Sequence, residues 1–268
     1  SDSIRLEAIK ASGEGRRSFY LARPAEFPPK GLIVDVHGIS RNAKEHVLAI
    51  GHEAAKRGYA TLAPIFDKAR YPVYQQLGRN DGVSRSDLAL DAFVDMAFEL
   101  LDLSPRPFFL SGFSGGAQFA HRYALYNPHR VRALGLAAAG WYTALTRELP
   151  FPHGLGQRKM ALRQPPNLPG FLAISTLIAV GENDLDHDPA LRRSPRLDSE
   201  QGENRYERGQ RWLQSVQAAG LKYGVKADRR FVTLARTGHD FAEAAAPERG
   251  NLAAILVDYF QAVDRREI

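Results

Sequence analysis

Phe108-Phe109-Leu110-Ser111-Gly112-Phe113-Ser114-Gly115-Gly116-Ala117-Gln118-Phe119-Ala120 is the stretch on which the fold turns. An apolar run of strand character carries Ser114 into a Gly-Phe-Ser-Gly-Gly turn, and a helix-like segment follows at once through Ala117, Phe119, Ala120, Tyr123 and Ala124. A serine on so tight a strand-to-helix turn takes a strained backbone conformation. Gly112, Gly115 and Gly116 keep side chains out of the place where strand and helix nearly touch. Such a nucleophile elbow lifts the hydroxyl above the sheet and aims the amino end of the helix at it, where backbone N–H groups can bind a developing oxyanion. The serine then needs a base, an orienting acid and a second oxyanion donor from elsewhere in the chain.

Around this stretch, strand and helix patterns alternate. Residues 3 to 11 and 16 to 23 read as an antiparallel hairpin around Gly13-Glu14-Gly15. Gly31 to Val36 is a β-branched run suited to a strand covered on both faces, and it ends at His37-Gly38-Ile39-Ser40. Asn42 and Glu45 look like a capping pair for a helix that stops at Gly58. Tyr59 to Ala63 is a further strand, an irregular aromatic stretch with Phe66, Tyr71, Tyr74 and Gln75 follows, and an amphipathic helix begins near Ser86. Beyond Asn127-Pro128 come strands at Val131 to Ala139, Thr176 to Val180 and Phe231 to Ala235, a polar helix from about Ser199 to Gly220, and a closing helix from about Leu252 to Val263. This order predicts an α/β fold: a mostly parallel central sheet, an N-terminal antiparallel hairpin and helices on both faces. The whole chain, 1–268, reads as one domain. Residues 141 to 170, with five prolines and little periodicity, read as a lid or pocket loop.

In such a sheet the site lies at the carboxyl ends of the strands, and the remaining motifs fall there. His239, on the Thr237-Gly238-His239-Asp240 turn after the last strand, is the candidate base. Asp184, where Leu177 to Gly181 runs straight into Glu182-Asn183-Asp184, is the candidate acid; Asp186, Asp188 and Glu182 are its rivals. The backbone N–H groups of Ile39 and Gly115 are the expected oxyanion pair, with His37 as a structural turn residue. His46, His52 and His129 are expected in solvated positions, and His153 is a candidate pocket residue. Trp141, Tyr142, Phe113 and Tyr71 are candidates for an aromatic substrate pocket. Arg192, Arg193 and Arg196 are expected to form a solvated basic loop, with attraction of an anionic substrate as the alternative.

Bulk properties narrow the function classes. The chain has 268 residues, 44% hydrophobic and 25% charged, which fits a globular protein with a sizeable core. Cysteine is absent, which excludes disulfides, thiolate metal sites and a cysteine nucleophile. The net charge of +6 is spread over small scattered basic groups without interleaved aromatics, so no nucleic-acid partner is expected. No run of about 18 apolar residues is present, so no membrane span is expected. The Asp184, Asp186, His187, Asp188 cluster fails as a calcium loop, because Pro189 stands where glycine is needed and Pro195 where glutamate is needed. No metal and no cofactor are expected. The start Ser1-Asp2-Ser3 reads as a processed or trimmed end, which leaves the location open between cytoplasmic and periplasmic or secreted with the signal removed.

Taken together, His37-Gly38, Gly112-Phe113-Ser114-Gly115-Gly116, Gly181-Glu182-Asn183-Asp184 and Gly238-His239, in the order Ser, Asp, His, resemble the α/β-hydrolase superfamily across nearly the whole chain. The resemblance implies Ser114 as nucleophile, His239 as base, Asp184 as acid, and Ile39 with Gly115 as the oxyanion hole. Ala139-Gly140-Trp141-Tyr142 after a strand looks like the branch of polyhydroxybutyrate depolymerases and feruloyl or acetylxylan esterases, whose secreted members often carry the disulfides that this chain lacks. The implied activity is hydrolysis of a small-molecule or oligomeric carboxylic ester. A peptidase, thioesterase or amidase with the same residues, and a binding protein on the fold, are the alternatives.

Overall fold

The computed structural model describes residues 4–11, 18–78, 84–157, 165–185 and 188–265. The predicted Gly13-Glu14-Gly15 turn and the rival acid Asp186 with its neighbour His187 lie outside them.

Eight strands form one sheet in the order β1-β2-β4-β3-β5-β6-β7-β8. β1 (Ile4–Ile9) and β2 (Phe19–Pro24) pair antiparallel, as the alternation of Ile4, Leu6 and Ala8 with charged residues predicts, and β2 also runs antiparallel to β4 (Ala60–Pro64). From β4 onward every pairing is parallel, through β3 (Leu32–Val36), β5 (Phe108–Phe113), β6 (Val131–Ala137), β7 (Ser175–Gly181) and β8 (Arg229–Leu234). β3 and β5 are buried along their whole length, which is why they read as largely apolar runs, with Asp35 and Ser111 as their buried polar members.

The helices cover both faces. α1 (Ala43–Ala55) and α8 (Leu252–Asp264) pack on one side, where Ile50, Ala54, Leu256 and Phe260 meet Ile33, Phe109 and Ala133. α2 (Ser86–Leu100), α3 (Gly115–Tyr126) and α6 (Arg205–Lys222) cover the other, with Phe93, Phe119, Tyr123 and Trp212 in its core.

Three short helices escape a periodicity reading: α4 (Leu168–Leu172), α5 (Pro195–Gln201) and α7 (Phe241–Ala245). The polar helix expected from Ser199 is in fact two, because Gly202 takes φ +116° and breaks α5 from α6. Asn42 is also corrected: its side chain does not cap α1 but donates from Nδ2 to Glu45 Oε2 at 2.7 Å.

The described part of the 141–170 loop is bolted to the helices. Thr143 is its anchor, donating its N–H to His121 Nε2 (3.1 Å) and its hydroxyl to the Pro152 carbonyl (2.8 Å), while its own carbonyl accepts from Trp212 Nε1 (2.9 Å).

At the crossing of β3, β5 and α3 the backbone leaves no room for a side chain. A Cβ on Gly116 would lie 1.8 Å from the Val36 carbonyl oxygen, and one on Gly112 would lie 2.4 Å from the Gly116 carbonyl carbon. Neither contact is relieved without moving a strand or α3. Gly116→Ala is therefore expected to cost at least about 4 kcal/mol or to prevent folding, whereas Gly31→Ala, whose Cβ would meet only Tyr59 at 3.5 Å, is expected to fold normally. Urea midpoints followed by circular dichroism check both; equal midpoints would contradict the packing argument.

Candidate active site

Ser114 sits between β5 and α3 at φ 54°, ψ −113°, a conformation that a non-glycine residue holds only under constraint. The constraint is visible: the Ser114 N–H donates to the Ala137 carbonyl of β6 at 2.8 Å, and its carbonyl accepts from the Gln118 N–H of α3 at 3.1 Å.

The loops after β7 and β8 are stitched together by backbone. Glu182 N–H donates to Leu234 O and Asn183 N–H to Thr237 O, both at 3.0 Å. Asp240 caps α7 by accepting the Glu243 N–H at 2.9 Å, and Glu243 Oε2 reaches back to accept the Gly238 N–H at 3.1 Å. His239 is thus held between two fixed loops. Its Nδ1 is 2.8 Å from Asp184 Oδ2 and its Nε2 is 3.0 Å from Ser114 Oγ. The Phe113 ring stacks on the imidazole at 5.2 Å. With Nδ1–H given to the carboxylate, Nε2 is the ring nitrogen free to accept from the serine hydroxyl.

The structure adds a residue to this chain that sequence reasoning passed over. Arg205 opens α6, donating to Asp184 Oδ1 at 3.1 Å and to Asp188 Oδ2 at 2.6 Å, with both the arginine and Asp184 almost fully buried. A cation in the first turn of a helix runs against the helix dipole, so its place there is explained by the two carboxylates it holds. Burial alone would raise the Asp188 carboxyl, but the hydrogen bond and charge of Arg205 outweigh it and hold Asp188 below the ordinary carboxylate range. Of the rival acids within the described residues, Asp188 meets Arg205 and Glu182 accepts the Arg236 N–H; the carboxylate against His239 is that of Asp184.

The turn after β3 faces Ser114 from the other side. Ile39 N lies 3.5 Å from where a Cβ on Gly115 would stand, so the two backbone segments abut at the amino end of α3. His37 shapes this turn. Its Nδ1 faces the Gly38 carbonyl at 2.8 Å, its Nε2 accepts the Phe66 N–H at 3.1 Å, and its own carbonyl accepts the Tyr74 hydroxyl at 2.8 Å. One ring nitrogen donating and the other accepting makes the ring neutral, and burial lowers its pKa to about 3. His121 is locked the same way between the Ala117 carbonyl and the Thr143 N–H, and burial likewise holds it well below the ordinary value.

A stability consequence follows for these two rings. An unfolded chain protonates them near pH 6.5 and the folded one does not, so their contribution is present above that pH and is lost as the pH falls towards 3. For His37, about 2 kcal/mol of stability should disappear between pH 7 and pH 5, and His121 acts in the same direction. Urea midpoints at the two pH values check this; unchanged stability would contradict it.

A cavity of about 200 Å³ opens over Ser114, lined by Ile39, Phe113, His239 and Phe241 among others. Of the four aromatic residues expected at a pocket wall, Phe113 is there. Tyr142 is instead fully buried behind Asp184, stacked on Trp212 at 4.6 Å, and Trp141 is packed against Arg122 and His153. Tyr71 is buried edge-on to Phe66. His153 is thereby stacked on Trp141 and lines a different cavity, beside Ser194 and Gln201. His46, expected in solvent, is fully buried: its Nδ1 faces Asp35 Oδ2 at 2.6 Å and its ring stacks on Phe241 at 3.6 Å. Ser111 donates to the other oxygen of Asp35 at 2.6 Å, so a buried polar chain underlies the loop that carries His239. Of the expected basic loop, Arg192 and Arg193 precede α5 and Arg196 lies on it: Arg193 pairs with Asp198, Arg196 with Glu200, and Arg192 lies over Trp141.

Among the described residues, no group of three or more His, Asp or Glu side chains is placed to hold a metal ion, and no helix is long and apolar enough to cross a membrane.

The comparisons with known proteins bear on the architecture. No protein-family model matches the chain, and no curated protein matches it in sequence. Among solved structures, LpqC, a poly(3-hydroxybutyrate) depolymerase from Bordetella parapertussis, superposes with a TM-score of 0.77 at 22% identity, over 97% of this chain and 94% of its own. The chain has the α/β-hydrolase fold. Poly(aspartic acid) hydrolase-1 from Sphingomonas sp. KT-1 shares this α/β-hydrolase architecture with a TM-score of 0.72 at 20% identity over 97% of both chains. FphF, a fluorophosphonate-binding serine hydrolase of Staphylococcus aureus, does so with a TM-score of 0.60 at 13% identity, over 96% of this chain and 97% of its own. In the α/β-hydrolase fold, the loops that hold Ser114, Asp184 and His239 leave the carboxyl ends of β5, β7 and β8.

Proposed function

We propose that this chain is a serine hydrolase that cleaves carboxylic esters through an acyl-enzyme on Ser114. The observation that carries the reading is the hydrogen-bonded line from Asp184 through His239 to Ser114, at 2.8 and 3.0 Å, on a strained turn at the mouth of a cavity.

His239 Nε2 takes the hydroxyl proton as Ser114 Oγ bonds to the ester carbonyl carbon, and Asp184 stabilises the imidazolium that forms. The carbonyl π pair moves to oxygen, where the N–H groups of Ile39 and Gly115 receive it, each such donor being worth roughly 10²–10³ in rate. Collapse of the tetrahedral adduct expels the alkoxide, which leaves as alcohol with the proton from His239. Water then repeats the sequence against the acyl-enzyme and releases the acid.

Thioesters and amides are open to the same chemistry, and the fold neighbours include enzymes named for a polyester and for a polyamide of aspartate. The charges at this cavity favour a neutral substrate over an anionic one. Glu45 and Asp240 line it, whereas Arg193 and Arg196 are neutralised at the start of α5. The test is rapid-mixing hydrolysis of p-nitrophenyl acetate. A burst of p-nitrophenol equal to the enzyme concentration, followed by slower turnover, is expected; turnover without an accumulating acyl-enzyme even at acid pH, where deacylation slows, would count against it.

A further inference from the structure

The cavity over Ser114 is small for a substrate, and a larger one shares part of its wall. Glu45, Phe241 and Ala242 also line a second, largely apolar cavity of about 490 Å³, which lies between α1, α7 and the start of α8. That volume falls within the range of small-molecule sites, and 200 Å³ falls below it.

The groove walls are mostly small and apolar side chains on facing elements, with Glu45, His52, Glu53 and Asn251 as the polar members of the lining. Leu48 and Ala49 of α1 stand one turn beyond Glu45, and Ala245, Pro247 and Ala253 face them. Residues 45, 48, 49 and 52 fall on one stripe of α1, so the groove runs along that helix, away from Ser114. Phe241, at the junction, is fixed by stacking on His46 and by an edge contact to Phe113.

Direction follows from the chemistry. The leaving alkoxide must collect its proton from His239 Nε2, so the alcohol arm departs on the histidine side of Ser114. The groove starts on that side, at Phe241 and Ala242, two and three residues beyond His239. We infer that the α1/α7 groove is the subsite for the alcohol arm of the substrate, and that this arm is a neutral apolar chain. The inference rests on the Ser114 reading. The carboxylate of Glu45 stands at the entrance of the groove and disfavours an arm that ends in an anion.

Two ester series read this out: acetates of ethanol through octanol, followed by proton release, and p-nitrophenyl esters of acetic through octanoic acid. In the first, kcat/KM should rise about two- to fourfold per methylene while the groove fills; the second should be flatter. Ala49→Trp and Ala245→Trp, on opposite walls, should each lower the octyl-to-ethyl ratio at least about tenfold, and either variant that keeps its circular dichroism melt suffices. A flat alcohol series, a steeper acyl series, or an unaltered ratio in a folded variant would overturn the assignment while turnover of ethyl acetate upheld the Ser114 reading. No hydrolysis of any ester together with no labelling of Ser114 by a phosphonate would instead sink both.

Discussion

Ser114→Ala and His239→Ala should each lose roughly 10⁶ in kcat on a p-nitrophenyl ester, and the double variant should be little worse than either single one. Non-additivity is the informative part. In the proposed mechanism the serine hydroxyl is useful only when Nε2, 3.0 Å away, takes its proton, and Nε2 is useful only against that hydroxyl. Asp184→Asn should cost less, about 10⁴, because the amide still occupies the place beside Nδ1 but favours the wrong tautomer. The check is steady-state kinetics with the residual rate compared against buffer. Independent, additive losses would mean that the three residues do not act as a unit.

Arg205→Met is expected to lower both stability and turnover. The guanidinium is the buried counter-ion of Asp184 and reaches Asp188 as well. Removing one partner of a buried ion pair commonly costs about 3–5 kcal/mol, since the remaining charge stays desolvated. Asp184 would then lose its tether on Oδ1, and misplacement of the acid by a fraction of an ångström passes through His239 to Ser114. A fall in kcat of up to about 10² with KM nearly constant is expected, and Arg205→Lys should recover part of it by restoring the charge. Chemical denaturation and kinetics on the same preparations test this. A stable, fully active Arg205→Met would show that Asp184 is held by the loop backbone alone.

Much of this architecture could be read in the chain because its determinants are local. β3 and β5 are short, mostly apolar runs that exit into glycine-bearing turns, and their burial on both faces imposes that composition directly. The Gly112 and Gly116 positions follow from backbone contact at one crossing, which a turn motif records. What could not be read depends on residues distant in sequence. Trp141 and Tyr142 follow a strand end, where pocket walls are common, but Trp212 on α6 and Arg122 on α3 capture them for the core. His46 lies on an otherwise ordinary amphipathic helix, and only the arrival of Asp35 and Phe241 makes it a buried partner. Arg205 carries no motif. The one available hint was a cation opening a helix, which has meaning only once Asp184 is known to face it. α7 is five residues long, too short for a periodic pattern, and yet it forms a wall of both cavities.

The central claim is that Ser114 is a nucleophile activated by His239, and labelling with a fluorophosphonate followed by intact mass and peptide mapping tests it most directly. The account predicts one equivalent of adduct on Ser114, none in Ser114→Ala, and sharply slowed labelling in His239→Ala. An unlabelled intact protein, or an adduct that persists in Ser114→Ala, would contradict it.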